Sequence, residues 1–248
     1  GTDALYLSLK ALGIKAGDEI ITAPNTFVAT AGAIALTGAR PVFVDARDDY
    51  TIDPNLIERA ITPHTRGIIP VHLTGNSADL YPILQVAKKN NLFVLEDCAQ
   101  AFLTLYDGKP VGSFGVAGAF SFHPLKLLHV WGDGGMIVTN DAALTQQLRL
   151  WRNHGLRSRN EVEFFAHNSR LHTLQAAVGL VLLPKVSGMI ERRRKNVALY
   201  KKYLAHLEPQ VHIPEVMCVV PTRSVFTNFV IQVEKRATLT KFLNKKGI

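Results

Sequence analysis

Apolar positions follow two alternating rhythms over the first 140 residues. Short apolar runs predict buried strands at Glu19–Thr22, Arg40–Val44, Gly67–Leu73, Leu92–Leu95 and Gly115–Phe122. Between them, apolar residues recur with helical spacing over Ala4–Leu12, Phe27–Leu36, Thr51–Ile61 and Asp79–Asn90. Gly13 and Gly17 end the first helix, and Asp53-Pro54 caps and opens the third. Pro70 weakens the Gly67 strand, because proline has no N–H for the ladder. Met136–Thr139 follows the Gly115 strand after a short loop, which favours antiparallel pairing. Strand and helix in alternation imply an α/β fold, a mostly parallel sheet covered by helices on both faces.

Beyond residue 140 the texture changes. Leu144–Trp151 and Leu174–Leu183 read as helices, with an irregular polar stretch, Arg152–Phe165, between them. Met189–Leu207 reads as a long basic amphipathic helix, Val225–Val233 alternates like a strand, and Ala237–Asn244 is helical. The chain begins at the start of a helical pattern without an initiating Met and ends just past another, so both ends read as cut.

At 248 residues, with 47% hydrophobic and 19% charged residues, the chain can bury a large core. No run of about 18 uncharged apolar residues occurs, so no membrane span is expected. Cys98 and Cys218 lie far apart without a CxxC pair, which predicts no zinc site and suits a reducing cytoplasm. The net charge of +8 is uneven: residues 1–140 hold 10 Lys+Arg against 13 Asp+Glu, and residues 141–248 hold 18 against 7. The basic cluster Arg192-Arg193-Arg194-Lys195 falls in a helical pattern and reads as a solvated face. No nucleic-acid-reading motif accompanies it, so no nucleic-acid partner is expected.

In sheets of this kind, ligands bind at the carboxyl ends of the strands. Thr26, Asp97, Ser121 and Lys126 all fall at or just past such ends. Pro124 stops the Gly115 strand and delivers Lys126 to the rim of the sheet. A rim lysine is most often a solvated one. Here, however, Glu96-Asp97 places a carboxylate at another strand end 29 residues earlier. An amine that binds an aldehyde, together with an acid that pairs with a pyridine nitrogen, is what pyridoxal 5'-phosphate (PLP) chemistry requires. Gly1-Thr2 opens a helix whose free N–H groups suit a phosphate or a simple cap. Phe27, at a strand-to-helix turn, is either a core residue or a face for an aromatic cofactor. A nicotinamide enzyme would need its Gly-rich turn between strand and helix, whereas Gly132-Asp133-Gly134-Gly135 precedes a strand.

The series Gly1-Thr2-Asp3-Ala4-Leu5, Asn25 to Thr30, Gly38 to Asp45, Val71-His72-Leu73, Glu96-Asp97-Cys98-Ala99-Gln100, Ser121 to Lys126, Gly132 to Gly135 and Asn168-Ser169-Arg170-Leu171 resembles the DegT/StrS-type sugar aminotransferases, within the fold-type-I PLP enzymes. The resemblance runs in order from Gly1 to about Leu207 and weakly to the end. It implies a three-layer αβα PLP-binding large domain over residues 1–188, then a connector helix and part of a small α+β domain over 189–248. It also implies a role for each site residue. Lys126 binds the cofactor's aldehyde, Asp97 its ring nitrogen, Gln100 the ring or its 3-hydroxyl, and Phe27 the ring face. Thr2 and Ser121 bind the phosphate, and Asn168 reaches a phosphate in a neighbouring subunit, so a homodimer with shared sites is expected.

The implied reaction moves an amino group from glutamate to a nucleotide-linked keto sugar, in polysaccharide or glycoconjugate precursor synthesis. Lys126 would carry the proton and must be neutral to do so, although an unperturbed lysine titrates at roughly 10.4. Some relatives carry His at the lysine position and dehydrate sugars; Lys126 speaks against that branch, and His123 is not that histidine. A catalytically inactive relative is the other alternative. Leu127 departs from the family, which usually has Asn there.

Overall fold

The computed structural model describes all 248 residues. In chain order, α1 (Thr2–Ala11) leads to β1 (Glu19–Thr22), α2 (Val28–Leu36) and β2 (Arg40–Phe43). Then come α3 (Pro54–Ile57, extended by a 3-10 turn, Glu58–Ala60), β3 (Thr65–Ile68), α4 (Leu80–Lys89) and β4 (Phe93–Asp97). The short strands β5 (Leu105–Tyr106) and β6 (Lys109–Pro110) precede β7 (Ala117–Ser121), β8 (Gly135–Val138) and α5 (Ala142–Arg152). A hairpin, β9 (Leu156–Ser158) and β10 (Glu161–Val162), follows, then α6 (Thr173–Leu182) and α7 (Val186–Leu204). The chain closes with β11 (Val211–His212), β12 (Thr222–Arg223), β13 (Gln232–Val233) and α8 (Arg236–Lys245).

Six strands form the central sheet in the order β2-β1-β3-β4-β7-β8, all parallel except β8, which runs antiparallel to β7. Successive strand residues point to opposite faces, and here both faces are buried. Ile20, Ile69 and Leu95 pack with Leu5 and Leu9 of α1, Ala33 and Ile34 of α2 and Leu144 of α5. Their neighbours Ile21, Ile68 and Val94 pack the other way, with Ile57 of α3 and Ile83 and Ala87 of α4. Each such buried aliphatic contributes about 1.5–3 kcal/mol. Three layers are thus fixed by one pattern of paired apolar residues.

Several elements differ from expectation for identifiable reasons. β3 stops at Ile68 because Pro70 has no N–H to donate; beyond it only a bridge, Val71 to Asp97, continues the pairing. β4 runs on through Glu96 and Asp97, and β9–β10 pair inside the stretch read as irregular. The Val225–Val233 strand shrinks to Gln232–Val233, since Val225 to Asn228 spends its hydrogen bonds on the Thr74–Gly75 turn. Nor is the basic cluster of α7 merely solvated: Arg193 Nη1 donates to the carbonyls of Phe226 and Thr227, and Arg194 Nη1 to that of Ser224.

α6, a short 3-10 turn and α7 form a continuous helical stretch, Thr173–Leu207, long and apolar enough by length and composition to cross a membrane. Pro184 and Lys185 interrupt it, and Glu191 to Lys195 charge its second half. Its apolar face, with Leu174 83% exposed, is the kind of surface a protein partner covers.

Candidate active site

Asp97 closes β4, and its side chain is buried at 4% exposure. Its Oδ2 accepts the Thr30 hydroxyl at 2.8 Å and its Oδ1 accepts the Ala99 N–H at 3.1 Å. The backbone is held as firmly: Asp97 N–H donates to Pro70 O, and His72 N–H to Asp97 O. Burial, the largest influence, raises the Asp97 carboxyl above its ordinary range; the Ala99 and Thr30 donors and the Lys126 charge pull against it. A buried acid in that position is completed by a cation.

Lys126 sits past the end of β7, in the turn that follows Ser121, its N–H donating to His123 O. It is half-buried, and burial lowers its pKa while Asp97 opposes the shift. The two side chains are close enough for each to feel the other's charge. Burial therefore favours the neutral amine that nucleophilic and proton-carrying work requires.

The phosphate end is a packed junction. α1 starts at Thr2 with no side chain capping its first turn, so its leading N–H groups are free to face an anion. A Cβ on Gly1 would lie 2.8 Å from Ser121 Cβ and 3.0 Å from Ser121 Oγ, which places that hydroxyl against the helix start. Gly134 O accepts from the Gly1 nitrogen at 3.0 Å. A Cβ on Gly135 would meet Phe120 O at 2.8 Å and the Gly1 nitrogen at 2.9 Å. The Gly pair therefore lets the helix start seat on the β7–β8 ladder, where Gly135 pairs with Ser121.

Phe27 caps α2 and is 69% exposed, so it is not a core residue. Gln100 is half-buried, and its Oε1 accepts the Thr74 N–H at 2.8 Å. Asn168 lies apart, exposed, on the wall of a cavity of about 1090 Å³ that Gly1, Thr2 and Asp133 also line. That wall does not include Lys126, Asp97, Phe27 or Gln100. The structure thus sets Ser121 against the Gly1-Thr2 helix start and Lys126 within electrostatic reach of Asp97, and leaves Asn168 exposed on the cavity it shares with Thr2.

Three supporting residues escaped the sequence reading. Thr30 holds Asp97 and is itself 2.7 Å from Oγ1 of Thr26, which lies in the turn just before α2. Glu96 is wholly buried beneath the site. It accepts N–H groups from Gly112, Phe114 and Gly115, and pairs with His72 Nε2 at 3.0 Å. His72 Nδ1 accepts the Ala78 N–H, so Nε2 carries the ring proton. With Cys98 these groups cluster as metal ligands do, but both His72 nitrogens and both Glu96 oxygens are already engaged. Leu127 is buried in the apolar cluster that includes Phe120 and Val130, so no polar group stands beside the lysine at that position.

The residues fit PLP: a free helix start with a hydroxyl beside it, a buried acid without a cation, a part-buried amine and an exposed aromatic. A pleiotropic regulatory protein of Geobacillus stearothermophilus is 42% identical over all of this chain and 67% of its own length. A UDP-N-acetyl-3-dehydro-alpha-D-glucosamine 3-aminotransferase of Acidithiobacillus ferrooxidans is 44% identical over all of this chain and 66% of its own. The crystal structure of NtdA from Bacillus subtilis, with the cofactor PMP bound, superposes with a TM-score of 0.92 at 34% identity, over 99% of this chain and 56% of that one. The chain thus spans about two thirds of the length of the curated relatives it matches. The profile of one family matches residues 1–248, end to end. This chain belongs to the DegT/DnrJ/EryC1/StrS aminotransferase family.

Proposed function

We propose that this chain carries the cofactor site of a PLP-dependent aminotransferase that moves an amino group from glutamate to a nucleotide-linked keto sugar. The observation that carries the reading is a part-buried amine, Lys126, within electrostatic reach of a buried acid, Asp97, that has hydrogen-bond donors but no ion-pair partner, beside a helix start with no side-chain cap. When bound, PLP supplies an electron sink for a carbanion. Lys126 Nζ would hold the aldehyde carbon and, once released, would accept and return a proton at that nitrogen; its burial shifts it toward the neutral form. The Asp97 carboxylate would keep a proton on the ring nitrogen. The α1 N-terminus and Ser121 Oγ would take the phosphate and Phe27 would cover the ring; Thr74 N–H occupies Oε1 of Gln100, which leaves the Nε2 amide free to serve the ring oxygen.

The outer faces support a homodimer with shared sites. Phe165 is 97% exposed, and Leu125, Trp131 and Leu174 also stand in the open. Asn168 is exposed between Phe165 and Leu174 in sequence, where it could serve a neighbouring site. Both cysteines are free thiols, in keeping with a reducing cytoplasm and a role in polysaccharide or glycoconjugate precursor synthesis.

Adding PLP to the protein tests the reading. A visible band should grow, borohydride should bleach it, and peptide mapping should place the modification on Lys126. Glutamate should then discharge the band, and a panel of keto-sugar nucleotides should restore it. A chain that forms no such band refutes the reading. The name of the Geobacillus relative favours a second one, a regulatory protein; such a chain would form the band but keep it in the presence of glutamate.

A further inference from the structure

The turn Leu73–Gly75 has backbone that most residues avoid: Thr74 has φ +60° and Gly75 φ +95°. Gly75 tolerates no side chain, because a Cβ would lie 2.8 Å from both Phe226 N and Thr227 N. Phe226 is left-handed as well, at φ +49°. Two left-handed turns, 150 residues apart, therefore press backbone against backbone. Such conformations persist only where neighbours over-determine them.

The neighbours do so, and their bonds converge on Gln100. Val225 N–H donates to Gly75 O and Asn228 N–H to Thr74 O, each at 3.2 Å. Thr74 N–H donates to Gln100 Oε1 at 2.8 Å, and Thr227 Oγ1 donates to Gln100 O at 2.5 Å. Gln100 is thereby gripped at both its side chain and its backbone. From the outer side, Arg193 Nη1 donates to Phe226 O at 3.0 Å and to Thr227 O at 2.8 Å. Further along the same segment, Met217 N–H is tied to the buried Asp49.

We propose that Thr227 and Arg193 are positioning residues that aim the Gln100 amide at the cofactor ring through the Thr74–Gly75 turn. The proposal rests on the reading that Gln100 faces the ring. Thr74 N–H has to find an acceptor, so it selects Oε1 and turns the amide NH2 the other way. A loosened turn would free the amide to rotate. Residues 224–228 would then act on the site without touching the reacting atoms.

The test uses the full chain with Thr227→Val, Thr227→Ser, Arg193→Met, Gln100→Leu and the double variant Gln100→Leu/Thr227→Val. Hydrogen exchange of the Thr74 and Gly75 amides is followed without cofactor, and the position of the visible band with PLP. Thr227→Val should speed the exchange about fivefold, as the loss of one hydrogen bond does. It should also move the band in the direction Gln100→Leu moves it, the double variant should move it no further, and Thr227→Ser should restore both. Arg193→Met should repeat the faster exchange should Thr227→Val fold poorly. Unchanged exchange in Thr227→Val and Arg193→Met overturns the proposal. So does faster exchange with the band at its wild-type position. A wild-type chain with no band would instead sink the cofactor reading, and with it the aim at the ring, whereas the exchange result would still decide whether Thr227 and Arg193 hold the Thr74–Gly75 turn.

Discussion

The Thr30 hydroxyl lies 2.8 Å from Asp97 Oδ2. A carboxylate only accepts, so Thr30 spends its proton there, and the Thr26 hydroxyl, 2.7 Å from Thr30 Oγ1, has to donate in turn. Both protons run toward the acid. Thr30 on the first turn of α2, backed by Thr26 in the turn before it, thus stabilises a negative charge at the end of β4.

Thr30→Val removes the last link of that chain and leaves the shape. The change should weaken PLP retention about fivefold to tenfold, the effect of losing one hydrogen bond to a charged group. Thr30→Ser should recover most of it. Equilibrium titration of the visible band measures both.

Asp97→Asn separates folding from chemistry. Burial raises this carboxyl, so the folded chain binds the proton more tightly than the unfolded chain does. That group then favours the fold at low pH and loses its contribution as pH rises through the raised value. At pH 7 the cofactor-free Asp97→Asn chain should accordingly melt higher than wild type, with the gap closing as pH falls through the raised value toward the ordinary 3.8. Turnover should fall at least about a hundredfold. Melting curves across pH, together with amino-transfer rates, check the two halves.

Glu96→Gln should act in the opposite sense. Burial alone would raise Glu96, yet the His72 contact and the Gly115 and Gly112 N–H groups hold it below its ordinary 4.5. A depressed acid contributes stability that is present above its unfolded value and is lost as pH falls through the folded one. The variant should cost about 3 kcal/mol at pH 7, because an amide NH2 would face N–H donors that want an acceptor. Urea unfolding at pH 7 and in acid should show that deficit shrink below pH 4.5.

Gly135→Ala tests the junction of helix and ladder. The added methyl would press on Phe120 O and on Gly1, and neither backbone can yield cheaply. A stability loss of about 1–3 kcal/mol is expected, with weaker binding of PLP through its phosphate. Ser121→Ala should weaken PLP about tenfold while leaving the melting temperature near wild type. Equal losses for the two variants in both measurements would contradict the separation of roles.

Much of the frame was legible in the chain. Ile20-Ile21, Ile68-Ile69 and Val94-Leu95 each place one side chain on either face, and that pairing announced a sheet buried on both sides. Lys126 and Asp97 were legible because a proline and a strand end put them at the rim. Thr30 was not, because a threonine in an Ala-rich helix looks like filler until the strand beside it is known. Glu96 was hidden for the same reason: its partners at Gly112, Phe114 and Gly115 lie on a loop whose path the sequence does not state.

Local chemistry settled what could be settled locally: where strands and helices form, which residues end them, and which groups can hold an aldehyde, a ring nitrogen or a phosphate. Only the folded chain decided which of these meet. It set the Gly1 helix start on Ser121, turned Asn168 outward, and pressed residues 224–228 onto the turn behind Gln100. The physical reason is that periodicity reports on neighbours one turn or two residues away, whereas hydrogen bonds across more than a hundred residues depend on loop paths that carry no periodic signal.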